Sequence, residues 1–410
     1  MEPAWVEHAI WWHVYPLGFV GAERSSAGVE VTHRLGRLID WFDYALEIGT
    51  SGIALGPVFA SGTHGYDTTD HFRIDTRLGD EADFAALVTA AHARGLRVLV
   101  DGVFNHVGRG FSAPELLRPD GATFEGHPGL VTLDHDNPAV ADHVVEVMWH
   151  WLAAGADGWR LDAAYAVPTS FWARVLPRVR ERFPDVYVVG EVIHGDYAEI
   201  VHESGMDAVT QYELWKATWS AINDRNLFEL VHAVKRHDEL PFAPLTFVGN
   251  HDVTRIASTI TDERHLAHAL AVLFTVAGTP SIYYGDEQAF RGIKEERVGG
   301  DDAIRPEFPA DGPDALSALG RPTLALHQEL VGLRRRHPWL HRARTTALHL
   351  TNTQALLANE VDGQRLVLAL NLDDAPLTHE VPGVAEVLAG EARLDGARVT
   401  VPPHGWAVFG

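Results

Sequence analysis

Eight short apolar runs, spaced so that a helix fits between most neighbours, leave this chain of 410 residues few folds to choose from. They are Ile10 to Tyr15, Ser51 to Leu55, Arg97 to Val103, a run from Gly158, Val186 to Glu191, Ala208 to Gln211, Leu245 to Gly249 and Ser281 to Tyr284. The intervening stretches carry a helical period. Residues 37–48 place Leu38, Phe42, Ala45 and Leu46 on one face and end at Gly49. Asp80 caps a helix with Phe84, Leu87, Val88 and Ala91 inward, ended by Gly95, and Asn137-Pro138 opens one with Val140, Val144, Val147 and Trp151 inward. Runs apolar along their whole length belong to strands buried on both faces. Alternated with helices, they predict an α/β fold, a parallel (β/α)8 TIM barrel rather than an open sheet.

After Pro338 the period changes. Ala347 to Leu350, Ala355 to Asn359, Leu366 to Leu372, Thr378 to Val381, Arg398 to Val401 and Trp406 to Phe409 are short β-type runs. They are separated by turn signals such as Asp362-Gly363 and Asp395-Gly396. The expected organisation is a barrel over residues 1–338, joined through a helix from Thr323 to Arg336 to a small antiparallel β-sandwich over 339–410. Residues 107–136 show no period and are too long for an ordinary connection, which marks an excursion after the third strand.

In a barrel, catalytic groups sit at the C-terminal ends of strands. Four runs end there in polar clusters: Asp101-Gly102-Val103-Phe104-Asn105-His106, Gly158-Trp159-Arg160-Leu161-Asp162, Gly190-Glu191-Val192-Ile193-His194 and Gly249-Asn250-His251-Asp252. Arg160 and Asp162, two apart on a strand, point to the same side, so a fixed cation stands beside a carboxylate. Taken alone this is as much a structural salt bridge as a reactive pair. Most of the 24 histidines are surface or core residues, and only position singles out His106 and His251.

The composition narrows the partners. A net charge of −23 and a pI near 5.4 without a basic stripe exclude a nucleic acid or an anionic membrane. The absence of cysteine excludes disulfides and thiolate chemistry. The first twenty residues carry Glu2 and Glu7, no Lys or Arg, and no apolar run of signal or membrane length, so a cytoplasmic location is expected. The oligomeric state is not set by the sequence.

The four clusters, with His64-Gly65-Tyr66-Asp67 after the second strand and Gly278-Thr279-Pro280-Ser281-Ile282-Tyr283-Tyr284-Gly285-Asp286-Glu287 at the eighth, resemble the α-amylase family of retaining glycoside hydrolases and transglycosidases. The resemblance covers Ala9 to about Arg305, and the family's C-terminal β-sandwich matches the tail. It implies Asp162 as nucleophile, Glu191 as acid/base and Asp252 as the third carboxylate, with an α-linked oligosaccharide as substrate. Retention needs two carboxyl groups about 5 Å apart, which neighbouring strands can supply. Arg160 is expected to hold Asp162 ionised, and the apolar run before Glu191 to favour its protonated form. The resemblance further implies that His106 and His251 bind sugar hydroxyls, that Tyr66 lies under the sugar, and that Asp67 and Arg305 pair behind its non-reducing end. Asp101 is expected to be structural; Asp286 and Glu287 are either substrate contacts or surface acids.

Three departures narrow the substrate. Ala163-Ala164-Tyr165-Ala166 stands where endo-acting amylases have Lys-His, the excursion is short, and no β domain precedes the first strand. Gly18 to Gly28 has no alternating Asp/Asn ligands for calcium, so neither metal nor cofactor is expected. The expectation is a minimal member acting on short oligosaccharides, an α-glucosidase. The alternatives are a transglycosidase, a neopullulanase- or cyclomaltodextrinase-like enzyme, and a non-catalytic carbohydrate-binding barrel.

Overall fold

A computed structural model describes residues 2–297 and 299–410. The eight runs form strands β1 (Trp11–Val14), β2 (Gly52–Leu55), β3 (Arg97–Gly102), β4 (Gly158–Leu161), β5 (Tyr187–Gly190), β6 (Ala208–Val209), β7 (Leu245–Phe247) and β8 (Thr279–Tyr283). All pair in parallel, in the order β6-β5-β4-β3-β2-β1-β8-β7. A parallel bridge from Thr210 to Leu245 joins the two ends and closes the barrel.

Alternation along the strands divides the core. Trp11, Ala54, Leu99, Tyr187, Val189, Ala208, Leu245 and Phe247 pack inside the barrel, while Trp12, Ile53, Val98, Val100, Trp159 and Val188 face the helices. The Trp11 ring fills so much of the interior that a Cβ on Gly52 of β2 would lie 2.4 Å from it. Helices Glu81–Ala93 and Pro138–Ala153 start at the expected caps: Asp80 forms a reciprocal capping box with Asp83, and Asn137 accepts from the amide of Ala139.

The helix expected from Arg37 differs. Residues Arg34–Trp41 form a 3-10 helix, and the α-helix is Phe42–Ile48. The buried side chains Leu35, Leu38 and Trp41 recur every third residue, which is the period of a 3-10 helix and not of an α-helix. The excursion contains a two-stranded antiparallel sheet, His106–Gly108 with Leu130–Thr132, and a short 3-10 turn Phe124–Gly126.

Beyond helix Arg321–Arg336 the chain is antiparallel, with one sheet of five strands and one of three. Leu356, Ala358, Val367, Ala369, Leu377, Val399, Val401, Ala407 and Phe409 fill the space between them. Two of these strands, Val387–Gly390 and Arg393–Asp395, were not expected; both are short, and the second leads into the Asp395-Gly396 turn.

Candidate active site

Strand register brings the clusters together. Asp101 of β3 sits opposite Arg160 of β4, and Leu161 opposite Gly190 of β5, so the residues just beyond, Asp162 and Glu191, emerge side by side. Arg160 is the centre of the group. Its Nη1 donates to both oxygens of Asp101 at 2.8 and 2.7 Å and to Asp162 at 3.2 Å, and its Nη2 pairs with Glu191 at 2.8 Å. Immediately after Asp162 the backbone turns through a left-handed residue, Ala163, with φ 44°. That turn directs the Ala163 amide to Glu191 Oε2 at 3.0 Å. A non-glycine residue held there is strained, as is common at functional sites.

Burial, and next the charge of Glu191, push the Asp162 carboxyl well above the ordinary carboxylate range against the pull of Arg160. The expectation that Arg160 holds Asp162 low is therefore corrected for the ligand-free site. The reason is geometric: one guanidinium serves three carboxylates, and Asp162 has its longest contact.

Asp252 is held differently. Burial opposes its charge, but His251 at 2.9 Å and Arg305 at 2.9 Å keep it well below the ordinary range. Arg305 also donates from Nε to the carbonyl of His251, reaches Asp301 at 3.1 Å, and lies 4.6 Å above the Tyr15 ring. The pairing of Arg305 with Asp67 does not occur. Asp67 instead accepts from the amide and hydroxyl of Thr63 at 3.1 and 2.8 Å, fixing the loop that carries Tyr66. Tyr66 stacks on His251 with centroids 5.3 Å apart, and its hydroxyl bonds to Asp101 and His251. Asp101 is fully buried and structural.

His106 lies against Asp162, its Nε2 3.9 Å from Oδ2. Asn105 donates to Nδ1 at 3.0 Å, which leaves the proton on Nε2. That nitrogen is buried and without a hydrogen-bond partner. Burial pushes the ring's pKa down to about 4, so it is a neutral donor at pH 7. Asp286 and Glu287 are not surface acids. Both are buried, Asp286 against Arg255 at 2.9 Å and Glu287 against the Tyr44 hydroxyl at 3.0 Å.

Other contributors were not anticipated. Tyr212, just after β6, donates its hydroxyl to Glu191 at 3.1 Å and accepts from Asn250 at 2.9 Å. Phe124 of the excursion stacks on His106 at 4.5 Å, and Tyr165 bonds to Glu125 at 2.8 Å. Position at a strand end points to Tyr212; nothing in the aperiodic excursion singles out Phe124.

Residues 13–115 and 124–360 match the family described as Alpha amylase, catalytic domain. The chain belongs to the α-amylase family. It is a glycoside hydrolase of that family, and its relatives include proteins named cyclomaltodextrinase, maltogenic α-amylase and neopullulanase. The cyclomaltodextrinase of Geobacillus thermopakistaniensis is 27% identical over 466 aligned residues, covering 99% of this chain and 77% of its own length. Neopullulanase 2 of Thermoactinomyces vulgaris is 28% identical over 421, covering 90% of this chain and 70% of its own. Among solved structures, the cyclic α-maltosyl-(1→6)-maltose hydrolase of Arthrobacter globiformis in complex with maltose superposes with a TM-score of 0.84 at 25% identity, covering 99% of both chains. Among the described residues of this α-amylase family chain, no helix is long and apolar enough to cross a membrane.

Proposed function

We propose that the chain is a retaining α-glucosidic hydrolase of short and cyclic maltooligosaccharides, with Asp162 as nucleophile, Glu191 as acid/base and Asp252 as the fixed carboxylate. Residues 1–338 carry this chemistry, and 339–410 form a separate C-terminal unit. Retention needs two carboxyl groups close together, and the guanidinium of Arg160 holds Asp162 and Glu191 side by side. Attack by Asp162 on the anomeric carbon forms a glycosyl ester as Glu191 passes its proton to the leaving oxygen. Glu191, now a base, then takes a proton from the water that breaks the ester. Asp252, His251 and the free Nε2–H of His106 bind hydroxyls of the cleaved sugar, and Tyr66 borders it.

The observation that favours a cleft over an end-closing pocket is the commitment of Arg305 to Asp252 and Asp301. Without an Asp67–Arg305 pair, nothing of that kind walls off the non-reducing end, and a ring with no end is admissible. The names of the relatives agree with this reading. The test is incubation with maltose, isomaltose, trehalose, sucrose, maltotriose, β-cyclodextrin, pullulan and starch, with products followed over time. Cleavage of β-cyclodextrin with retention of anomeric configuration is expected. Glucose released singly from linear chains, with the cyclic substrate untouched, would restore the pocket-shaped α-glucosidase.

A further inference from the structure

A second group of ligating side chains, none of them among the site residues above, lies where the barrel meets the C-terminal sheets. Asp262 caps the 3-10 turn Glu263–His265, whose last residue leads directly into helix Leu266–Thr275. Facing them is His404, from the turn before strand Trp406–Phe409. One carboxylate oxygen of Asp262 and one ring nitrogen each of His265 and His404 lie within 4.8 Å of one another.

The details are those of a coordination site rather than of a chance cluster. Nε2 of His265 and Nδ1 of His404 face each other at 3.0 Å. Two nitrogens bound to one tetrahedral zinc, each at 2.0–2.1 Å, stand roughly 3.4 Å apart, so only a small separation of the rings admits the ion. Asp374 accepts from Nε2 of His404 at 2.7 Å, which puts the ring's lone pair on Nδ1, on the side of His265. A carboxylate behind a ligating imidazole is the usual way such a ligand is oriented. The His404 side chain is only 8% exposed, and its backbone takes a left-handed φ of 54°, a conformation an L residue enters at a cost. Next to it, His268 donates from Nε2 to the carbonyls of Asn371 and Gly405, leaving a buried Nδ1 without a partner. One residue competes with the ion: Arg264 donates its amide and Nε to Oδ1 of Asp262 and its Nε and Nη2 to Oδ2, so the ion must displace part of the exposed guanidinium contact.

We propose that Asp262, His265 and His404 bind a divalent zinc-type ion that clasps the barrel to the C-terminal sheets. Two imidazoles and one carboxylate suit zinc rather than calcium or magnesium, which take oxygen ligands. The fourth position is left to water. The ion is structural, and no step of glycoside cleavage passes through it.

The test uses the full-length, tag-free protein, stripped with EDTA and equilibrated against about 10 µM zinc, an excess over the affinities of built zinc sites. Wild type should take up one zinc per chain more than His404→Asn, a substitution that keeps a residue tolerant of left-handed φ. Zinc should raise the wild-type Tm by about 3 °C once its free concentration is about a hundredfold above Kd, and calcium should not. Asp374→Asn touches only an exposed carboxylate and removes no ligand; it should weaken zinc binding about ten- to a hundredfold. Equal zinc uptake by wild type and His404→Asn, a Tm that zinc leaves unmoved, or unchanged affinity in Asp374→Asn would overturn the site.

Discussion

Arg305 donates to Oδ1 of Asp252 at 2.9 Å, and this contact separates the roles of the two arginines in the site. Arg305 serves the acid whose charge is fixed, while Arg160 is divided among Asp101, Asp162 and Glu191. Two arginines shared among Asp101, Asp162, Glu191, Asp252 and Asp301 leave the barrel mouth short of positive charge, and burial with the neighbouring Glu191 pushes the Asp162 carboxyl up.

Glu191→Gln removes the proton donor and keeps the shape. Turnover of natural oligosaccharides should fall about 10²- to 10⁴-fold, the usual contribution of a general acid. Glycosyl fluorides, whose leaving group needs no proton, should be cleaved at near the wild-type rate in the first step. Comparing both substrates on one preparation decides the matter, and an equal loss on the two assigns the acid role elsewhere.

Asp162→Asn should abolish turnover and yet stabilise the protein at neutral pH. The carboxyl's folded pKa is raised, so the folded state binds its proton more tightly than the unfolded chain does. That stabilisation is complete below the unfolded pKa of about 3.9 and is lost as pH rises through the folded value. An amide never loses it. The stability advantage of the variant should therefore be absent near pH 4 and grow by up to about 1.4 kcal/mol for each pH unit above it until the folded carboxyl ionises. Calorimetry across pH 4 to 8 measures the gap; a gap that narrows with rising pH contradicts the buried, raised carboxyl.

Tyr212→Phe tests the unanticipated hydroxyl between Glu191 and Asn250. Losing one hydrogen bond to the acid/base and leaving Asn250 Nδ2 with one partner fewer should lower kcat/KM by roughly five- to thirtyfold, on the scale of 1–2 kcal/mol. The loss should appear in kcat on poor leaving groups and vanish on good ones. If KM alone changes, Tyr212 binds sugar and does not position Glu191.

What the sequence made legible follows from how local each signal is. The barrel strands are apolar runs whose burial on both faces is written into consecutive residues, and the polar residues after them inherit their position from the strand. Arg160 beside Asp162 is legible for that reason. The partner of Arg305 was not: Asp252 reaches it from the end of another strand, and although Asp301 lies only four residues before it, a motif that names a charge does not name its counter-charge. Tyr212 follows a strand of two residues and merges into the helix Tyr212–Asn223, so its own apolar period disguises it. The proton balance of Asp162 was misjudged because a sequence shows that an arginine is adjacent but not how many carboxylates share it.

Arg305→Ala distinguishes a residue that closes a pocket from one that holds Asp252. If Arg305 capped the non-reducing end, its loss would hurt disaccharides and admit longer chains. The structure pairs it with Asp252, so the loss should be the same on maltotriose and on β-cyclodextrin, and the product pattern should not change. A charge-assisted hydrogen bond is worth about 1.5–3 kcal/mol, which sets the expected fall in kcat/KM at roughly ten- to a hundredfold. The pH profile carries the second signature. Asp252 is held low by His251 and Arg305, so removing the arginine moves its pKa upward, and activity on the acid side should be lost at a higher pH than in wild type. Asp67→Ala should leave that acid limb in place, because Asp67 bonds Thr63 and not Arg305. Rates measured from pH 3.5 to 8 on both substrates check these outcomes together: an unshifted acid limb in Arg305→Ala, or a loss confined to short substrates, returns Arg305 to the end of a pocket.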